Sequence, residues 1–217
     1  PGLDVGCHLV LVGGKSLLPG GQNLPVDVVE LLKRLATRDI SPYQELRAQI
    51  EKIVAAGIRP THLDTHKHTH LTFPVLDAVA RLSEEFGIRW VRRPFDFPLS
   101  GGRPTPWGKR VLSRSLQVLR SHFHRRLARR GCRTTDYFAG FQLTGYLRVE
   151  ELVDLIRVLP DGLTEFMCHP GYCTDELRNA RTRLKESRER ELEALVSPLV
   201  AEALRRNSVH LVRYSAL

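Results

Sequence analysis

The stretch His62-Leu63-Asp64-Thr65-His66-Lys67-His68-Thr69-His70 puts four of the chain's nine histidines and one carboxylate on alternate positions. Imidazole and carboxylate suit zinc, iron, cobalt or nickel, and magnesium less comfortably. Side chains alternate faces along a strand, so His62, Asp64 and His66 would share one side, with Leu63 and Thr65 opposite. Three polar residues on one side do not make a core face. If that side lines a barrel mouth it offers a divalent cation a place to sit; the bland alternative is a solvated histidine-rich loop.

Two more histidines fall at strand-like positions. His8 lies in VGCHLVLV with Val10 and Val12 on its own face, a setting where a hydrogen-bonded core histidine is commoner than a ligand. His169 ends the apolar run of LTEFMCHPGY, and Pro170-Gly171 forces a turn after it. Such a place also suits an acid–base histidine. Glu165, inside that run, either pairs with a cation or belongs to the site. The four cysteines, Cys7, Cys132, Cys168 and Cys173, show no CxxC spacing and read as reduced thiols of an intracellular protein.

The elements that must hold these residues are short apolar runs alternating with amphipathic stretches. Strands are expected at residues 5–12, 61–66, 89–92, 162–168 and 209–214. Helices are expected at 27–37, 42–56 and 74–86, along a long periodicity from 175 to 195, and after Pro198. Gly57 and Gly87 are stop signals for two of them. Strands alternating with helices signify βα units around a parallel sheet, open or closed into a (β/α) barrel. A distorted TIM-like barrel is favoured, because the polar residues gather at strand C-terminal ends.

Composition sets the outer bounds. The 217 residues are 42% hydrophobic and 26% charged, the make-up of a soluble globular chain, read as one domain over 1–217. No apolar run approaches the ~20 residues a membrane helix needs. Met167 is the only methionine and the chain opens on Pro1, so a missing N-terminal segment is expected, and any targeting signal with it. The net charge of +9 is concentrated: residues 97–135 hold ten Lys or Arg and no Asp or Glu. Within this basic insertion Leu112, Leu116, Leu119, Phe123 and Leu127 recur at helical spacing from Trp107 to Arg130. A basic amphipathic helix fits either an anionic membrane or a barrel wall with a cationic outer face. Nucleic acid is disfavoured, since no aromatic-rich or known binding module accompanies the charge.

The phrases VGCHLVL, PTHLDTHKHTH and EFMCHPGY, in this order, resemble the YdjC-like carbohydrate deacetylase family over essentially all 217 residues. The C-terminal text ELRNARTRLKESRERELEAL resembles its hopanoid-biosynthesis-associated branch. The resemblance implies a (β/α) barrel, a divalent metal (Mg2+), and hydrolysis of the N-acetyl group from an N-acetylglucosamine-type sugar. For the branch, the substrate would be lipid-linked, a hopanoid glycolipid. It implies metal-ligand roles for His8 and His66 and an acid or substrate-contact role for His169. His62, His68 and His70 would shape or line the site, with Asp64, His68 and Glu165 as candidate substrate contacts. The expected setting is the cytoplasm, with peripheral contact at the inner face of an anionic membrane.

The family pattern opens with a strand ending in an Asn-Ala-Asp-Asp-Phe-Gly-like phrase, which supplies the third ligand and the general base. These residues contain no such phrase. The chain is therefore expected to lack its first βα segment and to be incomplete for catalysis as it stands. Two other readings stay open. One is a non-catalytic sugar-binding barrel that has lost its acidic pair. The other is a metal phosphoesterase, which would want more carboxylates than Asp64 and Glu165.

Overall fold

The computed structural model describes residues 2–98, 106–180 and 182–217. The fold is mixed α/β with parallel strands. In chain order the elements begin with β1 (Cys7–Leu9), α1 (Val28–Ala36), α2 (Pro42–Ala55), β2 (His62–Thr65), α3 (Phe73–Glu85) and β3 (Trp90–Val91). Then come α4 (Trp107–Leu116), α5 (Arg120–Ala128), β4 (Tyr137–Ala139), α6 (Val149–Arg157) and β5 (Thr164–Phe166). The last are α7 (Asp175–Asn179), α8 (Ser187–Val196) and α9 (Pro198–Arg206). Among the described residues no helix is long and apolar enough to cross a membrane.

The chain forms two compact units, one of Pro1–Arg92, Leu119–Thr134 and Val212–Leu217, the other of Arg93–Val118 and Thr135–Leu211. In the first, β1, β2 and β3 make a parallel sheet in that order. Cys7 pairs with Leu63, His8 with Asp64, Leu9 with Thr65, and Leu63 with Val91. One sheet face carries Cys7, Leu9, Leu63, Thr65 and Val91, all buried, alongside the buried Leu46 and Ile50 of α2 and Val75, Val79 and Leu82 of α3. Each fully buried leucine there contributes roughly 2 kcal/mol of transfer free energy. Helices α2 and α3 each start with a proline in the first turn, where its missing N–H costs nothing. Both stop at a glycine in the left-handed region, Gly57 at φ 81° and Gly87 at φ 68°.

The second unit pairs β4 and β5 in parallel, Phe138 opposite Glu165. Its core gathers Leu152, Leu155 and Ile156 of α6 with Ala194 of α8 and Val200 and Ala203 of α9.

The structure departs from the sequence reading in the following elements, among others. Residues 209–213 form no strand, and Tyr214–Ala216 is a 3-10 turn. Leu211 and Val212 are exposed, and the end is held instead by the Asp4 carboxylate, which accepts from the Ser215 backbone and hydroxyl. The periodicity from 175 to 195 is two helices. Lys185 Nζ donates to Arg178 O at 2.5 Å, capping the end of α7 before α8 starts. The basic stripe is also two helices, broken by a 3-10 turn at Gln117–Leu119. Phe123 and Leu127 of α5 are buried, while Arg126 and Arg130 pair with Asp77 and Glu84 of α3. Residues 99–105 of that insertion lie outside the described residues.

Candidate functional site

The sheet of the first unit carries a polar row on the face opposite its core. The register sets His8 beside Asp64, and Arg92 continues the row, its N–H donating to Leu63 O at 3.0 Å. Asp64 is buried, and its Oδ2 accepts from His8 Nδ1 at 2.9 Å and from the Arg92 guanidinium. Burial alone would raise this carboxyl. The His8 hydrogen bond and the Arg92 charge outweigh it and bring the pKa down to about 2. Asp64 is thus a carboxylate at neutral pH, and it fixes the Nδ1–H tautomer of His8.

That tautomer leaves His8 Nε2 with its lone pair exposed, and the atom facing it is His66 Nδ1, 3.4 Å away. The two rings stand nearly perpendicular, at 84°. Two nitrogens bound tetrahedrally to one cation at ~2.0–2.1 Å would lie about 3.4 Å apart. A carboxylate behind a ligating imidazole is the usual supporting arrangement. In both respects His8 and His66 fit a shared divalent cation. Among the described residues no group of three or more His, Cys, Asp or Glu is arranged to hold a metal, so the pair would be two ligands of a larger set.

The other histidines of the run have different surroundings. His62 lies at the lower end of the strand, its ring stacked on Tyr214 with centroids 4.3 Å apart. It lies so close over Gly6 that a Cβ there would overlap the ring. After His66 the strand pattern ends, because Lys67 and His68 take left-handed backbone angles, φ 53° and 52°. The chain turns inward and buries His68 and His70. Thr65 Oγ1 accepts from the His70 N–H at 3.1 Å and donates to its Nδ1 at 2.5 Å. His70 Nε2–H then donates to Arg92 O at 3.0 Å. Burial lowers His70 to about 4 and His68 to about 3, so both are neutral at pH 7. His70 therefore holds the backbone of Arg92, the residue that charges Asp64. Burial, with the neighbouring His8, lowers His66 as well.

Glu165 and His169 belong to the second unit. Glu165 sits in β5 opposite Phe138. The His169 N–H donates to Glu191 Oε2, and the His169 Nδ1 lies 4.0 Å from the same oxygen. Glu191 is buried on the inward face of α8 with Ser187 and Ala194. The same helix takes the Gly171 N–H on Arg188 O at 3.2 Å and the Cys173 N–H on Glu189 Oε1 at 2.9 Å. Three donors of the CHPGYC turn are thus held by α8. Glu191 was absent from the sequence reading, although a carboxylate at helical spacing between Ser187 and Ala194 was there to be seen. Asp96 was missed as well. Its buried carboxylate accepts from the Phe141 and Gln142 N–H groups at 3.1 and 2.8 Å. Burial outweighs those donors and pushes its pKa up to about 6.

The phrases that build these two constellations lie within a match to the YdjC-like protein family model, which extends over residues 1–206. The chain belongs to the YdjC-like family. Similar chains include the carbohydrate deacetylase of Thermoanaerobacter pseudethanolicus, 28% identical over 224 residues, covering 100% of this chain and 79% of the relative. The carbohydrate deacetylase of Brevibacillus brevis is also 28% identical, over 225 residues, with 100% and 79% coverage. Among solved structures, a protein of Enterococcus faecalis V583, provisionally described as a cellobiose-phosphate cleavage protein, superposes with a TM-score of 0.70. It is 23% identical, and the match covers 99% of this chain and 77% of the other, a likeness of fold. In this YdjC-like chain, VGCHL and HLDTH are the two phrases that the register of β1 and β2 sets side by side.

Proposed function

We propose that the protein is a metal-dependent deacetylase on a (β/α) barrel, hydrolysing the N-acetyl group of an N-acetylglucosamine-type sugar. One observation carries the reading: His8 Nε2 and His66 Nδ1 face each other at 3.4 Å, with the His8 ring anchored from behind by Asp64. The substrate class comes from the family relatives, whose names are carbohydrate deacetylases. His8 and His66 are the residues that would hold the cation. A divalent ion there, magnesium by family resemblance or zinc by ligand type, would polarise an amide carbonyl and lower the pKa of water.

Asp64, expected as a sugar contact, is assigned instead to act through His8, since its Oδ2 already serves two donors. His169 gives the departing amine its proton, because an amide nitrogen leaves poorly without one. Glu191 holds the His169 backbone through its N–H. His68 and Glu165 remain candidate sugar contacts. The carboxylate base and the third ligand are the roles of an acidic pair, and no Asp-Asp pair occurs in these 217 residues. The C-terminal phrase favours a lipid-linked amino sugar of hopanoid type, handled in the cytoplasm at the inner membrane face.

In the full-length protein, His66→Ala is expected to abolish both bound metal, measured by elemental analysis, and acetate release. Acetate release that persists once the metal is gone overturns the assignment. A second reading is a sugar-binding barrel without chemistry. Its signature is N-acetylglucosamine binding by the full-length protein with no acetate produced.

A further inference from the structure

Helix α4 carries its apolar residues on the outside. Of its ten residues only Ser113 is buried. Trp107 is 79% exposed, Val111 41%, and Val118, just past the helix, 82%. Spacings of four and seven residues line these three along one stripe. Arg110 and Arg114 are exposed beside it. The opposite side attaches through polar groups. Lys109 Nζ donates to Thr144 O at 2.6 Å, Gln142 Nε2 to Ser113 Oγ at 3.2 Å, and Gln117 Nε2 to Asp96 O at 2.9 Å. A helix on a globular surface normally turns its apolar stripe inward and its charges outward. Here the attached side is polar, and the tryptophan, the valines and two guanidiniums face solvent together.

Charge decides what covers such a face. Helix α4 carries Lys109, Arg110 and Arg114 and no acid, and Arg110 and Arg114 are exposed, so the partner that fits is anionic. Two copies meeting through α4 about a two-fold axis would bring Arg110 and Arg114 against their own kind. A nucleic acid would use the arginines and leave Val111 and Val118 without a partner. An anionic lipid surface uses both: tryptophan at head-group depth, valines at the acyl boundary, guanidiniums on phosphates.

We propose that α4 is a membrane-surface anchor that seats the protein on anionic bilayers through Trp107, Val111 and Val118, with Arg110 and Arg114 on lipid phosphates. The proposal deepens the membrane-face setting given under the proposed function but does not rest on the deacetylase chemistry, and its test does not use activity. Full-length protein is sedimented with vesicles of phosphatidylcholine alone, or of phosphatidylcholine with equimolar phosphatidylglycerol, at low salt. Binding is expected to the anionic vesicles only, and to weaken as salt is added. Arg110→Gln with Arg114→Gln should lower partitioning roughly 25-fold, about fivefold per lost charge. Trp107→Ser with Val111→Ser should reduce binding even at low salt, with the far-UV spectrum unchanged because neither side chain is buried. No binding to anionic vesicles, equal binding to both kinds, or binding that survives both double variants overturns the proposal. So does a dimer in solution that is lost in the Trp107→Ser, Val111→Ser protein, which would assign the face to a second copy.

Discussion

Asp64 Oδ2 accepts from His8 and from Arg92, so Asp64→Asn removes the charge that fixes the His8 tautomer while keeping the side chain's size. Outer-shell changes of this kind typically lower metal affinity by roughly 10–100-fold. That loss is expected in chelator competition on the full-length protein, with the fold checked by circular dichroism. An unchanged affinity would show that His8 needs no carboxylate behind it. At this scale the sequence was half legible. The strand parity that grouped Asp64 with His66 follows from strand geometry alone. The inward turn of His68 and His70 does not, because it rests on left-handed angles at Lys67 and His68, which nothing in the spacing announces.

The strands themselves meet at close quarters. At the lower end of β1 and β2 the His62 ring lies directly on Gly6, so Gly6→Ala is expected to destabilise the first unit by about 1–3 kcal/mol of overpacking. His62→Ala in the same chain should recover much of that loss. Urea unfolding of the two single variants and the double variant measures the coupling, and strictly additive effects would mean the ring does not set the approach. The expected helices over 27–37, 42–56 and 74–86 match α1, α2 and α3 to within a residue or so, since caps, prolines and glycines mark their ends. β4 and α6 were not read. Tyr137–Ala139 is only three residues long, too short for alternation to register. α6 did show its signal, with Val149, Leu152, Val153 and Ile156 at helical spacing. The strand expected at 209–214 fails because its apolar residues find no partnering edge.

The two units differ in how protons act on them. In the first, His70 sits at about 4 against an ordinary 6.5, and His68 at about 3 adds to it. Between those values and 6.5 the unfolded chain binds more protons, so this unit loses stability as pH falls across the window. In the second, Asp96 sits at about 6 against an ordinary 3.8. There the folded form binds more protons, and stability is lost as pH rises from about 3.8 through about 6. Hydrogen exchange between pH 4 and 6.5, corrected for intrinsic rates, should show β2 gaining protection with pH while β4 loses it. Parallel trends would remove either the His70 or the Asp96 term. The segment 97–135, read as one basic insertion, is divided between the units, with α4 in the second and α5 in the first. Composition reports charge along the chain and says nothing of which core each half joins. Phe123 and Leu127 settle that for α5 by being buried.

The turn that follows β5 hangs from α8 by the main-chain N–H groups of His169, Gly171 and Cys173. Every amino acid except proline carries that donor, so the tether is indifferent to much of what the turn displays. Tyr172, 77% exposed between two tethered positions, can be exchanged for another residue without loosening the loop. An engineer could therefore change what this turn displays and leave the scaffold alone.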